Sequence, residues 1–168
     1  MYVETVIHSF SQPKKLMDPL DQLRSLSKQF EEFVLVDTVK AFEAATEMHA
    51  IASKLSEETN SVALKNKADG YMALALERQS WLSVRLLKNQ EGLMIASQSR
   101  AIYHRLGDTQ GVIKATLHVA GAFTRVGNFA NALEEAMAGL DLAQAYGTQL
   151  DIAMALSTVA IIYQLLEE

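Results

Sequence analysis

Two stretches of this chain superimpose on each other at a constant offset of about 40 residues, within the range of periods that marks stacked repeat architectures. Gly92-Leu93 recurs as Ala132-Leu133, Ala96 as Ala136, and Ile102 as Leu142; Gly107 recurs as Gly147, Ala115 as Ala155, Ala120 as Ala160, and Phe123 as Tyr163. Small residues return as small ones and large apolar residues as large apolar ones. In such an architecture each unit covers the apolar face of its neighbour. A chain of this kind works by offering a surface.

The unit that repeats is helical. Both prolines, Pro13 and Pro19, precede the repetitive part. Asp18-Pro19 reads as an N-cap followed by proline at the first helical position, where its missing N–H costs nothing. Apolar spacing then predicts helices over about 18–34 and from Asp37 to about Leu55, with a shorter one after Ser56 that Asp69-Gly70 would break. Further helices are expected over about 70–87, 90–106, 109–126 and 129–146, and from about 150 to the end. Gly107, Gly127 and Gly147 follow three of them, as left-handed caps do. The connections are a few residues long, so neighbours should run antiparallel. The fold class expected is all-α, an antiparallel helix-hairpin solenoid of about seven or eight helices. Residues 1–17 read as an irregular or short-helix lead-in and 18–168 as a single domain.

Charge and composition narrow the function. With 15 basic and 20 acidic residues the formal net charge is −5, which argues against nucleic-acid binding. There is no cysteine, so a disulfide scaffold and a thiolate metal site are excluded. The amino-terminal residues lack a basic stretch followed by an apolar block, so a secretory signal is not expected. No apolar run approaches the ~20 residues a membrane helix needs, and no membrane partner is expected. The four histidines, His8, His49, His104 and His118, make no Glu-x-x-His pair. Without that spacing neither a metal nor another cofactor is expected. No phosphate loop or nucleophile elbow occurs, so the chain is not expected to be an enzyme.

The hairpin over about 109–146 carries Ala120, Phe123, Gly127, Phe129, Ala132, Ala136 and Gly139. This pattern resembles a tetratricopeptide (TPR) repeat: a small residue and an aromatic in the first helix, a glycine and an aromatic at the turn, small residues in the second. The length of the period is similar to the long variant of that family. The phrases Leu106-Gly107-Asp108-Thr109-Gln110-Gly111 and Gly127-Asn128-Phe129-Ala130-Asn131-Ala132-Leu133 resemble the sensory or scaffold regions of bacterial signalling proteins such as GGDEF diguanylate cyclases. The match is best over 92–163 and weak before 69. In the helix over about 70–87, Ser80 and Ser83 stand in place of the small-plus-aromatic pair.

The resemblance implies a TPR-like superhelix in the cytoplasm of a bacterium, acting in signal transduction through protein–protein interaction. It also implies that the first helix of each pair lines a concave groove. The groove positions would be Lys114, Leu117, Gly121, Thr124 and Arg125; one period back, Leu74, Glu77, Trp81, Val84 and Arg85; one period forward, Met154, Ser157, Ile161, Gln164 and Leu165. Trp81, Arg85, Lys114 and Arg125 would hold an acidic or carboxylate-ended peptide, since arginine forks match carboxylates and tryptophan anchors well. Trp81 reads as readily as a core residue, and the cations as solvated helix faces.

The last helix is apolar nearly all round, so a partner should cover it. The alternative function is therefore self-association through Ile152, Leu156, Val159, Ile161, Ile162 and Leu165, positioning an output domain. A homodimer or an intramolecular partner domain is expected on that face.

Overall fold

A computed structural model describes residues 17–86 and 88–167. The lead-in expected over 1–17 lies almost entirely outside the described residues. Among those described, the chain forms seven α-helices and no strand: α1 (Pro19–Phe33), α2 (Thr38–Glu58), α3 (Val62–Arg85), α4 (Asn89–Leu106), α5 (Thr109–Arg125), α6 (Phe129–Tyr146) and α7 (Gln149–Leu166). Each helix packs on the next, which makes an all-α antiparallel stack of hairpins. The period is visible in the helix starts: Asn89 of α4 is to Phe129 of α6 as Thr109 of α5 is to Gln149 of α7.

The helix ends follow from local chemistry. Asp18, Asp37, Asp108, Asn128 and Thr148 each accept a backbone N–H from the first turn that follows. This satisfies donors that a helix leaves unpaired. Gly107 and Gly127 sit at φ 69° and 77°, the left-handed conformation that lets the chain reverse. Beyond them the N–H of Asp108 reaches back to the Tyr103 carbonyl and that of Asn128 to the Phe123 carbonyl, both at 3.0 Å.

Two expectations are corrected. The chain does not break at Asp69-Gly70: α2 runs on to Glu58 and α3 continues through both residues. Asp69 is buried, not a turn residue. Its carboxylate accepts from the Ser56 hydroxyl at 2.6 Å and from the Arg105 guanidinium at 2.8 Å, joining α2, α3 and α4. A buried charge with both oxygens paired stabilises a helix interior that composition alone would end. Gly147 is not a left-handed cap either, having φ −89° and ψ 178°. Glycine is needed there for space, because a Cβ would fall 2.7 Å from the Ala143 carbonyl oxygen.

The core runs the length of the stack in patches. Leu23, Leu26, Phe30, Met48 and Leu82 lock α1, α2 and α3 together. Ile113, Leu117, Leu140 and Ala155 join α5, α6 and α7. Burial of a large aliphatic side chain contributes about 1.5–3 kcal/mol. Between these patches the α3–α4 seam is small and polar. Ser80 donates to the Gly92 carbonyl at 2.9 Å, and Ser99 to the Ala73 carbonyl at 2.8 Å. Ser80 and Ser83, which depart from the repeat pattern, thus let α4 approach closely at Gly92.

Candidate interaction groove

Helices α3, α5 and α7 form one face. α3 packs directly on α5 and α5 on α7, whereas α4 and α6 make no comparable contact. An ion pair from Arg100 to Glu135 spans the gap between that even pair. Closer approach on the odd side makes that side the concave one.

Clefts along this side are lined by a lattice of positions spaced four, three and four residues along α3 and α5, and three and four along α7. On α3 these are Leu74, Arg78, Trp81 and Arg85; on α5, Lys114, His118, Gly121 and Arg125; on α7, Thr158, Ile161 and Leu165. Each α5 position lies one period on from its α3 counterpart. This spacing is one stripe of an α-helix, so the same stripe of each hairpin's first helix faces the groove.

The lattice brings together Trp81, Arg85 and Arg125. They line one cleft of about 360 Å³ with Leu117, His118, Gly121 and Ala122. Trp81 is 37% exposed and Arg85 lies 5.1 Å above its ring centroid, so this indole is not a core residue. Stacking holds the guanidinium over the groove. Among the described residues neither Arg85, Lys114 nor Arg125 has a carboxylate within ion-pair distance, unlike Arg78, Arg100 and Arg105. Gly121 forms a dip at the centre, since a Cβ there would meet nothing within 4 Å. Trp81 stands on one side of the dip and Ile161 on the other.

Lys114 is set apart. It lies across Trp81 in a second cleft with Glu31, Glu77 and Arg78. Arg78 pairs there with the Glu31 carboxylate, donates to the Ser27 hydroxyl at 3.0 Å, and lies 4.3 Å over the Phe30 ring. Positive charge is therefore concentrated at the Arg85–Arg125 end. Met154, Ser157 and Gln164, expected in the groove, are exposed on α7 but line none of these clefts. The side chain of Val84 lies outside the described residues.

Three groove residues escaped the sequence reading. Arg78 and His118 occupy equivalent positions, and Thr158 follows one period later. That offset, applied one turn beyond Leu74, Lys114 and Met154, would have found all three. Burial pushes the His118 imidazole pKa down, against the opposing pull of Glu77. Its Nδ1 is buried without a hydrogen-bond partner among the described residues. No group of three His, Asp or Glu side chains converges as a metal site would require, again among the described residues.

The expected self-association patch divides. Ile162 is fully buried with Ala120, Ala132 and Ala136, and Val159 packs against the same cluster. Ile152 packs against the cluster that holds Ile113 and Leu140. These three help hold α7 in the stack, Ile162 buried and Ile152 and Val159 half-buried. Ile161 and Leu165 line the groove. Of the six, only Leu156 lies on α7's open side, 50% exposed.

No protein-family model matches the chain, and no curated protein matches it. The groove is therefore read from its own chemistry.

Proposed function

We propose that this chain is a non-catalytic interaction module that holds a peptide-like segment of a partner protein across the concave face. The resemblance of its turn phrases suggests a scaffold or sensory role in a bacterial cytoplasmic regulator. The single observation that carries the binding reading is the cleft where Trp81 flanks an open dip at Gly121 beside two arginines that, among the described residues, have no carboxylate within ion-pair distance. Forked donors match a carboxylate with two parallel hydrogen bonds, and an aromatic face anchors an apolar side chain. An extended segment would place an acidic or C-terminal carboxylate between Arg85 and Arg125 and an adjacent apolar side chain over Gly121. Holding, not transforming, is what these groups favour.

Gly121→Leu tests this reading without dismantling the fold. The site has open space, and a side chain in a helix interior is favoured over glycine by roughly 0.5–1 kcal/mol. The melting temperature should hold or rise, while capture of a fluorescent acidic peptide ending in a free carboxylate should fall about tenfold or more. Unimpaired capture by Gly121→Leu would show that the groove is not the binding surface.

A further inference from the structure

The second surface stands independently of the groove. On α5, positions 113, 116, 117, 120, 123 and 124 are buried or half-buried, several of them against α6. One period later on α7 stand Ala153, Leu156, Ser157, Ala160, Tyr163 and Gln164, every one exposed. α7 thus presents, uncovered, the face that α5 uses to receive another helix.

The inner seam shows what such a face accepts. The seam sets a large side chain on a small one at one level, where a Cβ on Gly139 of α6 would fall 2.7 Å from the Leu117 side chain of α5, and small on small at the next. Ala120 packs with Ala132 and Ala136. On α7 the seam positions read small, large, small, large: Ala153, Leu156, Ala160, Tyr163. Their spacing of three, four and three residues is that of a two-helix seam. The order is self-complementary. Laid antiparallel on a copy of itself, the helix sets Ala153 opposite Tyr163 of that copy, and Leu156 opposite its Ala160. No charged side chain interrupts the seam, because the helix's only charge, Asp151, is buried on the inner side.

We propose that two copies of this chain associate through an antiparallel two-fold pairing of α7, with each large seam residue seated on a small one of the second copy. An isologous contact of this kind closes on itself as a dimer. A bilayer is the rival occupant, since Gln149–Leu166 is long and apolar enough to cross a membrane by length and composition. Against it, Asp151, Ala155 and Ile162 fasten α7 along the stack, and spanning would require peeling it away.

The absence of cysteine makes the register testable in the full chain. Sedimentation from about 1 to 500 µM should show a monomer–dimer equilibrium, weak because one helix seam is small. Leu156→Glu and Ala160→Glu should each shift it at least about tenfold toward monomer while leaving the dilute melting temperature unchanged. The variants Leu156→Cys and Ala160→Cys, mixed under mild oxidation, should crosslink to each other at least about fivefold faster than either crosslinks alone, since opposed positions satisfy disulfide geometry. A wild-type monomer throughout the range overturns the proposal. So does self-crosslinking of each variant as fast as the mixture, or flotation of the wild type with phosphatidylcholine vesicles.

Discussion

α5 and α7 begin one repeat period apart and are built to one plan, yet they end in different circumstances. Three equivalent positions are buried in both: Gly111 and Asp151, Ala115 and Ala155, Ala122 and Ile162. Those residues face the preceding hairpin. α5 also buries Ile113, Thr116, Leu117, Val119 and Ala120, whereas their counterparts Ala153, Leu156, Ser157 and Ala160 are exposed and Val159 is only half-buried. The difference teaches that periodicity encodes which face a helix offers, while burial depends on whether another helix takes the offer. Exposed Leu156 and Ala160 on α7 thus stand where α5 seats another helix.

The sharpest way to break this equivalence is a charge at a shared position. Ala120→Glu should cost about 3 kcal/mol or more, because it buries an unpaired carboxylate in the α5–α6 seam. Its counterpart Ala160→Glu should stay within about 0.5 kcal/mol in dilute solution, as surface substitutions do. Equal thermal shifts for the two would refute the comparison.

Glycine gives a second contrast. Asparagine tolerates the left-handed conformation, so Gly107→Asn should cost less than about 1 kcal/mol. Gly147→Asn should cost about 2 kcal/mol, because its Cβ has no room beside Ala143. Chemical denaturation of the two variants reads the difference directly.

The first turns differ as well. Where α5 has Gly111 against the Tyr103 ring, α7 has Asp151 in a reciprocal cap with Thr148. Asp151→Ala should lose about 1 kcal/mol at neutral pH. The backbone N–H and hydroxyl of Thr148 hold the Asp151 carboxyl below its ordinary range. With the folded pKa lowered, that contribution is present above pH 3.8 and lost as the pH falls through the lowered value. In Asp151→Ala the acid limb should flatten in that window, with the part due to Asp37 remaining.

The smallest effect concerns the groove. His118 and His49 are both shifted down by burial, so the folded protein resists protonation that the unfolded chain accepts. Stability present above pH 6.5 should decline as the pH drops below it, and level off once the folded groups titrate. His118→Gln should remove the His118 share of that decline, measured by denaturation on either side of that pH.

Much of the fold was legible because the signals that end a helix are local. Asp108, Gly127 and Asn128 act on residues within one turn, and the boundaries from 89 onward fall within one or two residues of those read from sequence. Asp69-Gly70 misled for the opposite reason. The partners that keep Asp69 inside a helix, Ser56 and Arg105, are 13 and 36 residues away. The groove was half legible. The offset placed Trp81, Arg85 and Arg125 on a shared stripe, but it could not show that Glu31, from a helix outside the repeat, offsets charge beside Lys114. On α7 the near-uniform apolarity hid which residues point inward, so Ile152, Val159 and Ile162 read like Leu156.

The chain has one tryptophan, and it stands in the groove, so its emission reports there alone. The decisive measurement is Trp81 fluorescence during titration with an acidic peptide that ends in leucine with a free carboxylate. Partner capture predicts a saturable blue shift that disappears with the amidated peptide and in Arg125→Glu, and persists in Leu156→Glu. Emission unchanged to millimolar peptide, or an identical shift with the amide, would contradict it.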